Sequence, residues 1–358
     1  MNTIYVRTLK RVEHTVFCVE KGQKVYKDIQ FGRLLPYSSG QQVKRSLLES
    51  MGGILNLEHS PITFYSNVKK NKTTKKIEFD GEGEVFGTCD PSYFDQLIGG
   101  WMRAIKDGKD RTLKRRSPLS ISAMRGLHPL LAGIDSENGT FDRRDRGNNI
   151  VKVRDESGQE LSQEEIIAFL NGRDAQTSLT SKYLQSQRRA YGLFVQDIAI
   201  DMRRLFSVAL NPFEPEISSQ TEARLREAGW IESANVFGPC LVAPIAIREK
   251  LIPALAEAII EWSITSNQAR TFSLMETLAV TISENANKIA ASIRAKLSEE
   301  EDNKAYPIVE EELNGVFSYV TLAAGGYIRT KSESYDALDK AKEKIVELLS
   351  SFNYESQL

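Results

Sequence analysis

The sequence predicts an α+β fold, and three observations carry that prediction. A run rich in β-branched and aromatic residues opens the chain over residues 3–19. Further on, Asp197, Ala199 and Asp201 alternate with Ile198, Ile200 and Met202, the period of two of a half-buried strand. Two apolar stripes recur at helical spacing: Val43, Leu47 and Met51, then Leu251, Leu255, Ile259 and Trp262.

Taken in order, "TIYVRTLKRVEHTVFCV" is one long strand or a bent pair. A helix follows from Ser39 to Met51, opened by the capping box Ser39-x-x-Gln42 and stopped by Gly52-Gly53. Residues 61–185 are polar and turn-rich ("NVKKNKTTKKIEF", "KDGKDRTLKRRS", "FDRRDRGNN") and read as an insertion of short strands and loops. Within it, "SPLSISAMRGLHPLLAGI" is compact enough to dock back on the core. The alternating strand at 188–210 is expected to kink and continue past Arg203-Arg204. Residues 211–245, punctuated by Pro212, Pro215, Gly229, Gly238-Pro239 and Pro244, form an excursion with a short helix at Thr221 to Ala228. The second apolar stripe makes an amphipathic helix with Pro253 expected in its first turn, where proline is tolerated. "SNQARTFSLMETLAVTIS" is a loop and a strand, and an acidic tail ends in a helix carrying Leu338, Ala341, Ile345, Leu348 and Phe352. Strands from the ends of the insertion complete a βαββαβ unit. This is the ferredoxin-like (RRM-like) arrangement, discontinuous over residues 1–60 and 186–358.

Composition narrows function by exclusion. The 358 residues are 41% hydrophobic and 27% charged, ordinary for a globular chain too long for one small core. No apolar run is long enough for a membrane span, and the first residues lack a signal-peptide core. Cys18, Cys89 and Cys240, with His14, His59 and His128, show no metal-ligand spacing and no disulfide framework. The expectation is a cytoplasmic protein without metal or cofactor. "GEGEVFG" lacks the spacing of a phosphate-binding glycine loop and reads as a hairpin turn.

The net charge of −1 hides an asymmetry. Through Arg204 the chain carries 33 Lys+Arg against 25 Asp+Glu; after it, 14 against 23. That division suits a polyanion-facing part and a partner-facing part. The first helix sharpens it. Lys44 and Arg45 sit at the positive end of the helix dipole, where an anion belongs. Arg45 falls on the open face and Lys44 inside the apolar sector. Together with Ser38, Ser39, Gly40 and the free amides, they suit a phosphate; the alternative is a plain capping box with two solvated cations. Other basic sites are Arg188-Arg189, Arg203-Arg204, Arg115-Arg116, Arg143-Arg144, the Lys69 to Lys76 cluster, and Gln268 with Arg270, with Tyr37, Tyr191 and Phe272 as stacking candidates.

Three blocks carry a family resemblance. "FGRLLPYSSGQQVKRSLLE" resembles the first-helix signature of the backbone subunit of type I CRISPR–Cas effector complexes (Cascade), the DevR-like branch of the RAMP superfamily. "AYGLFVQDIAIDMRRLF" resembles that family's second conserved strand, and "SNQARTFSLMETLAVTI" its late loop and strand. The blocks cover about a third of the chain and keep the family's order.

The resemblance implies a non-enzymatic subunit that polymerises along guide RNA (crRNA) in a helical filament. It implies handle-binding and large subunits of Cascade as neighbours, and target DNA as a further partner. The palm is ferredoxin-like, residues 61–185 are fingers near the DNA, and 211–245 is a thumb. RNA contacts map onto Ser38, Ser39, Gln41, Gln42, Lys44 and Arg45, then Arg188 and Arg189, then Gln268 and Arg270. DNA-facing cations of the fingers are Lys69, Lys70, Lys72, Arg115, Arg116, Arg143 and Arg144. Here the thumb is acidic and proline-bearing, unlike that of many relatives. The alternatives are a RAMP-type target-RNA endoribonuclease using a loop aspartate (Asp28, Asp142 or Asp145), and a metabolic α+β domain with a phosphate at its first helix.

Overall fold

The computed structural model describes residues 2–17, 22–70, 77–79, 83–103, 112–142, 148–171, 181–264, 272–301 and 303–358. They form two compact units: Met1–Gly133 with Ala190–Leu358, and Ile134–Arg189.

Strand β1 (Thr3–Thr15) leads, then β2 (Val25–Lys27), β3 (Leu34–Ser38) and helix α1 (Gly40–Leu55). A ribbon follows, β4 (Ile62–Tyr65) and β5 (Val68–Lys70) returning as β6 (Ile77–Phe79) and β7 (Glu84–Gly87). Next come α2 (Phe94–Gly99), the hairpin β8 (Trp101–Arg103) and β9 (Leu113–Arg115), then β10 (Leu119–Ile121), β11 (Met124–Gly126) and β12 (Ala132–Asp142). After α3 (Gln163–Asn171), the long β13 (Ser181–Asp201) leads to α4 (Met202–Leu205), β14 (Ser207–Ala209), α5 (Ser219–Glu227), β15 (Ile231–Asn235), β16 (Gly238–Val242) and α6 (Ile245–Glu261). The chain closes with β17 (Thr277–Ser283), α7 (Ala286–Ser292), β18 (Ile293–Leu297), β19 (Ala305–Val309), β20 (Phe317–Thr321), a 3-10 turn (Leu322–Gly326), β21 (Glu333–Ser334) and α8 (Ala337–Ser350).

The central sheet runs β2-β3-β11-β13-β1-β17-β20-β21, with β10 also on β13. Strand β1 lies antiparallel between β13 (Ile4↔Ile200, Lys10↔Phe194) and β17 (Val6↔Ile282, Thr8↔Val280). Because side chains alternate, this register assigns each face. Ile4, Val6, Ile198, Ile200, Val280 and Ile282 share a core with Val43, Leu47 and Met51 of α1, Leu255 and Ile259 of α6, and Ala341 and Ile345 of α8. The opposite parity, Leu9, Leu193 and Ala279, packs on Ile293, Val309 and Val320. The docking of 117–134 is borne out: β10 and β11 pair with β13, and β11 with β3.

Four expectations need correction. Helix α1 does not stop at Gly52-Gly53 but ends at Asn56, left-handed at φ 49°. A Cβ on Gly52 would lie 3.0–3.3 Å from His59, Phe94 and Leu57, so this glycine serves close packing within the helix. Pro253 lies in the interior of α6, not its first turn. Its missing N–H falls on the exposed side, where water can serve the freed carbonyl. Strand β13 ends at Asp201, whose carboxylate accepts from Arg203 N and starts α4 instead of continuing the strand. Residues 61–133 of the expected insertion belong to the first compact unit, with Phe94, Leu97 and Ile98 in its core.

Lys10 shows how the layers are tied. It is 2% exposed, and its ammonium donates to Thr277 Oγ1 at 2.8 Å and to the carbonyls of Ile260 and Trp262 at 3.4 Å. Those carbonyls close α6 and have no helical partner. Burial pushes the Lys10 pKa down to about 7, against an opposing pull from Glu261. In the unfolded chain the group returns to about 10.5, so the unfolded state binds more protons between these values. Stability contributed by Lys10 is therefore present above the unfolded value and lost as pH falls through about 7. Denaturant midpoints of the wild type and Lys10→Met should diverge in favour of the wild type between pH 7 and 10; parallel curves contradict this role.

Candidate nucleic-acid interface

The first-helix segment begins on strand β3, whose Tyr37 and Ser38 pair with Arg125 and Met124 of β11. Ser38 is buried, and its Oγ has no hydrogen-bond partner. Ser39 is the N-cap, its Oγ accepting from Gln42 N at 3.3 Å. No acidic residue occupies the first turn. Gln41 and Arg45 are exposed and Gln42 is half-buried. Arg45 Nε lies 2.7 Å from Glu49 Oε1, one turn on.

Gly40 has a reason other than the one its sequence suggests. A Cβ there would lie 2.3 Å from the Ile121 carbonyl oxygen and 3.3 Å from Ser122 C. The backbone that approaches the start of α1 is this protein's own β10–β11 link.

Lys44 also turns inward. Its ammonium donates to the Gly99 carbonyl at 2.5 Å and to Ser117 Oγ at 2.6 Å. Gly99 is the last residue of α2. The cation that opposes the positive end of α1 thus satisfies the negative end of another helix. Burial, with Arg115 nearby, pushes its pKa down to about 8.

The placement of Arg115 on a DNA-facing surface is corrected: its side chain is 2% exposed. Its guanidinium donates to the carbonyls of Leu97 (2.5 Å) at the end of α2, Arg204 (2.6 Å) in α4, and Ser207 (3.1 Å). It also lies over the Trp101 ring, 5.3 Å from the centroid. Desolvation lowers its pKa to about 10, against the pull of Glu216. The doublet splits because neighbours on an extended chain point to opposite sides, so Arg116 is exposed.

Arg188-Arg189 divides the same way: Arg188 is exposed, while Arg189 is 7% exposed and ion-paired to Glu137 at 2.6 Å. Lys69 and Lys70 are exposed on the β5–β6 ribbon. Lys72, Arg143, Arg144, Gln268, Arg270 and Asp145 lie outside the described residues, as does the side chain of Asp142. Asp28 accepts from Phe31 N at 2.7 Å and serves its own turn. Among the described residues, no group of three or more His, Cys, Asp or Glu could hold a metal, and no helix is long and apolar enough to cross a membrane.

Sequence reasoning missed Asp197 as an organiser of the sheet. It lies 2.5 Å from Arg7 Nε and 3.4 Å from Arg125 Nη1. The polar parity of the alternating strand was the available signal.

No protein-family model and no curated protein matches the chain. Among solved structures, a chain of a "CRISPR RNA-guided surveillance complex, pre-nicking" is similar at 9% identity, over 97% of this chain and 89% of that one, with a TM-score of 0.42. A chain of a "CRISPR RNA-guided surveillance complex" is similar at 10% identity, over 96% and 99%, with a TM-score of 0.41.

Lys44→Ala leaves the Gly99 carbonyl without its side-chain donor and the Ser117 hydroxyl with Leu119 N alone, and should cost about 1–3 kcal/mol. Arg45→Ala removes one exposed pair and should change stability by less than about 0.5 kcal/mol. Chemical denaturation of the two variants checks the contrast; equal effects contradict it.

Proposed function

We propose that the protein is a non-enzymatic subunit that coats a CRISPR guide RNA and presents it for pairing with target DNA. The observation that carries this reading is the start of α1. The segment that resembles the family signature forms a Ser39-capped helix end with no acid in its first turn, and keeps Gln41 and Arg45 exposed. Such an end accepts phosphate oxygens through backbone amides and neutral donors.

The strand connectivity supports a ferredoxin-like palm. β1 leads through α1 to β10 and β11, these to β13, and β13 through α6 to β17. Their spatial order is β11-β13-β1-β17 with every neighbouring pair antiparallel, the order of a βαββαβ unit.

Burial and exposure support the following roles within this reading. Ser39, Gln41, Gln42 and Arg45 are the RNA contacts of the first helix, with Arg188 as a further candidate. Lys44 supports that helix from beneath. Lys69, Lys70 and Arg116 remain DNA-facing candidates; Arg115 is interior. Copies meeting along the RNA would place an acidic flank (Glu299 to Asp302, Glu310 to Glu312) near a neighbour's basic edge. Sequence specificity then comes from base pairing, not from the protein.

The test is RNA affinity as a function of salt. In Gln41→Ala/Arg45→Ala, log K should fall less steeply with log salt, by about 0.7 for the lost phosphate contact. The melting temperature of the RNA-free protein should be unchanged. Wild-type affinity and slope in the variant would overturn the assignment.

A further inference from the structure

A small cavity of about 10 Å³ lies at the root of the 211–245 excursion, lined by Arg115, Arg204, Ser207, Glu216, Asn235 and Phe237, among others. About 10–15 Å³ is room for one water molecule where the walls are polar.

These walls are polar, and most of their groups are already matched. Arg115 gives its donors to the carbonyls of Gln96, Leu97, Arg204 and Ser207. Ser207 Oγ donates to the Arg203 carbonyl at 2.8 Å, and Asn235 Nδ2 donates to the same carbonyl at 3.1 Å. Glu216 Oε2 accepts from Ala209 N at 2.8 Å.

Two groups are left over. The buried Nε of Arg204 has no hydrogen-bond partner. Glu216 Oε1 faces Arg204 Nη1 at 3.6 Å, beyond direct hydrogen-bond length. The other ion pair of this carboxylate, Oε2 with Arg115 Nε, is longer still at 3.8 Å. Both ends of the gap are anchored. The Arg204 guanidinium is stacked on Phe237, 3.6 Å from the ring centroid, and the Glu216 backbone carbonyl accepts from Trp101 Nε1 at 2.7 Å.

Charge decides what fits. A cation would meet two guanidiniums, and an anion would meet the Glu216 carboxylate. A neutral molecule that both accepts and donates satisfies each side. Polar groups fixed more than about 3.5 Å apart are the setting in which water bridges. Asn235 Oδ1 accepts from Phe237 N at 2.9 Å and keeps a second lone pair for a third partner.

We propose that this cavity is a binding site for one structural water, which accepts from Arg204 Nε and donates to Glu216 Oε1 and Asn235 Oδ1. Arg204 belongs to α4, whereas Glu216 and Asn235 belong to the excursion, so the water is part of the joint between the excursion and the core. The inference does not depend on the guide-RNA reading.

The test is a crystal structure of the full chain, grown in parallel from chloride and from bromide, at a resolution that shows ordered water. One density peak should lie within about 3.2 Å of both Arg204 Nε and Glu216 Oε1, with no anomalous signal in the bromide crystals. An anomalous peak there makes the occupant a halide and overturns the proposal, and so does a cavity with no peak. In solution, deuteron magnetic relaxation dispersion counts long-lived buried waters. Arg204→Met should hold about one fewer than the wild type, and an equal count overturns the site. Should that variant not fold, the wild-type crystals decide alone.

Discussion

Much of this fold depends on cations placed at the negative ends of helices inside the protein. Arg115 is the centre of that arrangement. One guanidinium, nearly sealed from water, holds carbonyls of Leu97, Arg204 and Ser207, and so ties α2, α4 and the start of β14 together. Helices this short cannot satisfy their last carbonyls themselves, and a fork of five donors can serve several at once. Lys44 adds a second cation at the end of α2, and the Lys10 amine donates to the last carbonyls of α6 from the middle of the sheet. Each buried charge carries a desolvation cost, visible in the lowered pKa of all three groups, and hydrogen bonding to carbonyls offsets it.

This constraint changes how the basic residues bear on function. Cations that share a doublet have different fates. Arg115, Arg189 and Lys44 face inward, whereas Arg116, Arg188 and Arg45 face solvent. Only the second group can meet a polyanion without breaking the fold. The affinity surface is therefore smaller than the count of basic residues suggests, and it depends on the first group for its shape. Arg115 links the two directly: its inward turn places Lys114 and Arg116 outward.

Periodicity made the central elements legible. Strand β13 followed from alternation, helices α1, α6 and α8 from apolar spacing, and β1 from its β-branched and aromatic content; β17, buried on both faces, shows no alternation. The tail was harder. Strands β18 to β21 are short, and α2 has only six residues, too few to show a period. The interface was legible in its position at Ser39 to Arg45 but not in its side-chain directions. Lys44 sits in the apolar sector of the wheel, which hinted at an inward stem; its carbonyl partner, Gly99, lies 55 positions away in sequence. Gly40, grouped in the sequence with a phosphate site, is needed instead for the close approach of Ile121–Ser122. Local pattern reveals that a group is constrained, and only the tertiary fold reveals by what.

Amide hydrogen exchange of Arg115→Lys tests this most directly. The substitution keeps the charge and removes the fork. Protection should be lost in residues 94–100 and 202–209, while β1 and β17 keep wild-type exchange. Unchanged protection across α2, α4 and β14 would contradict the claim that one buried guanidinium holds them together.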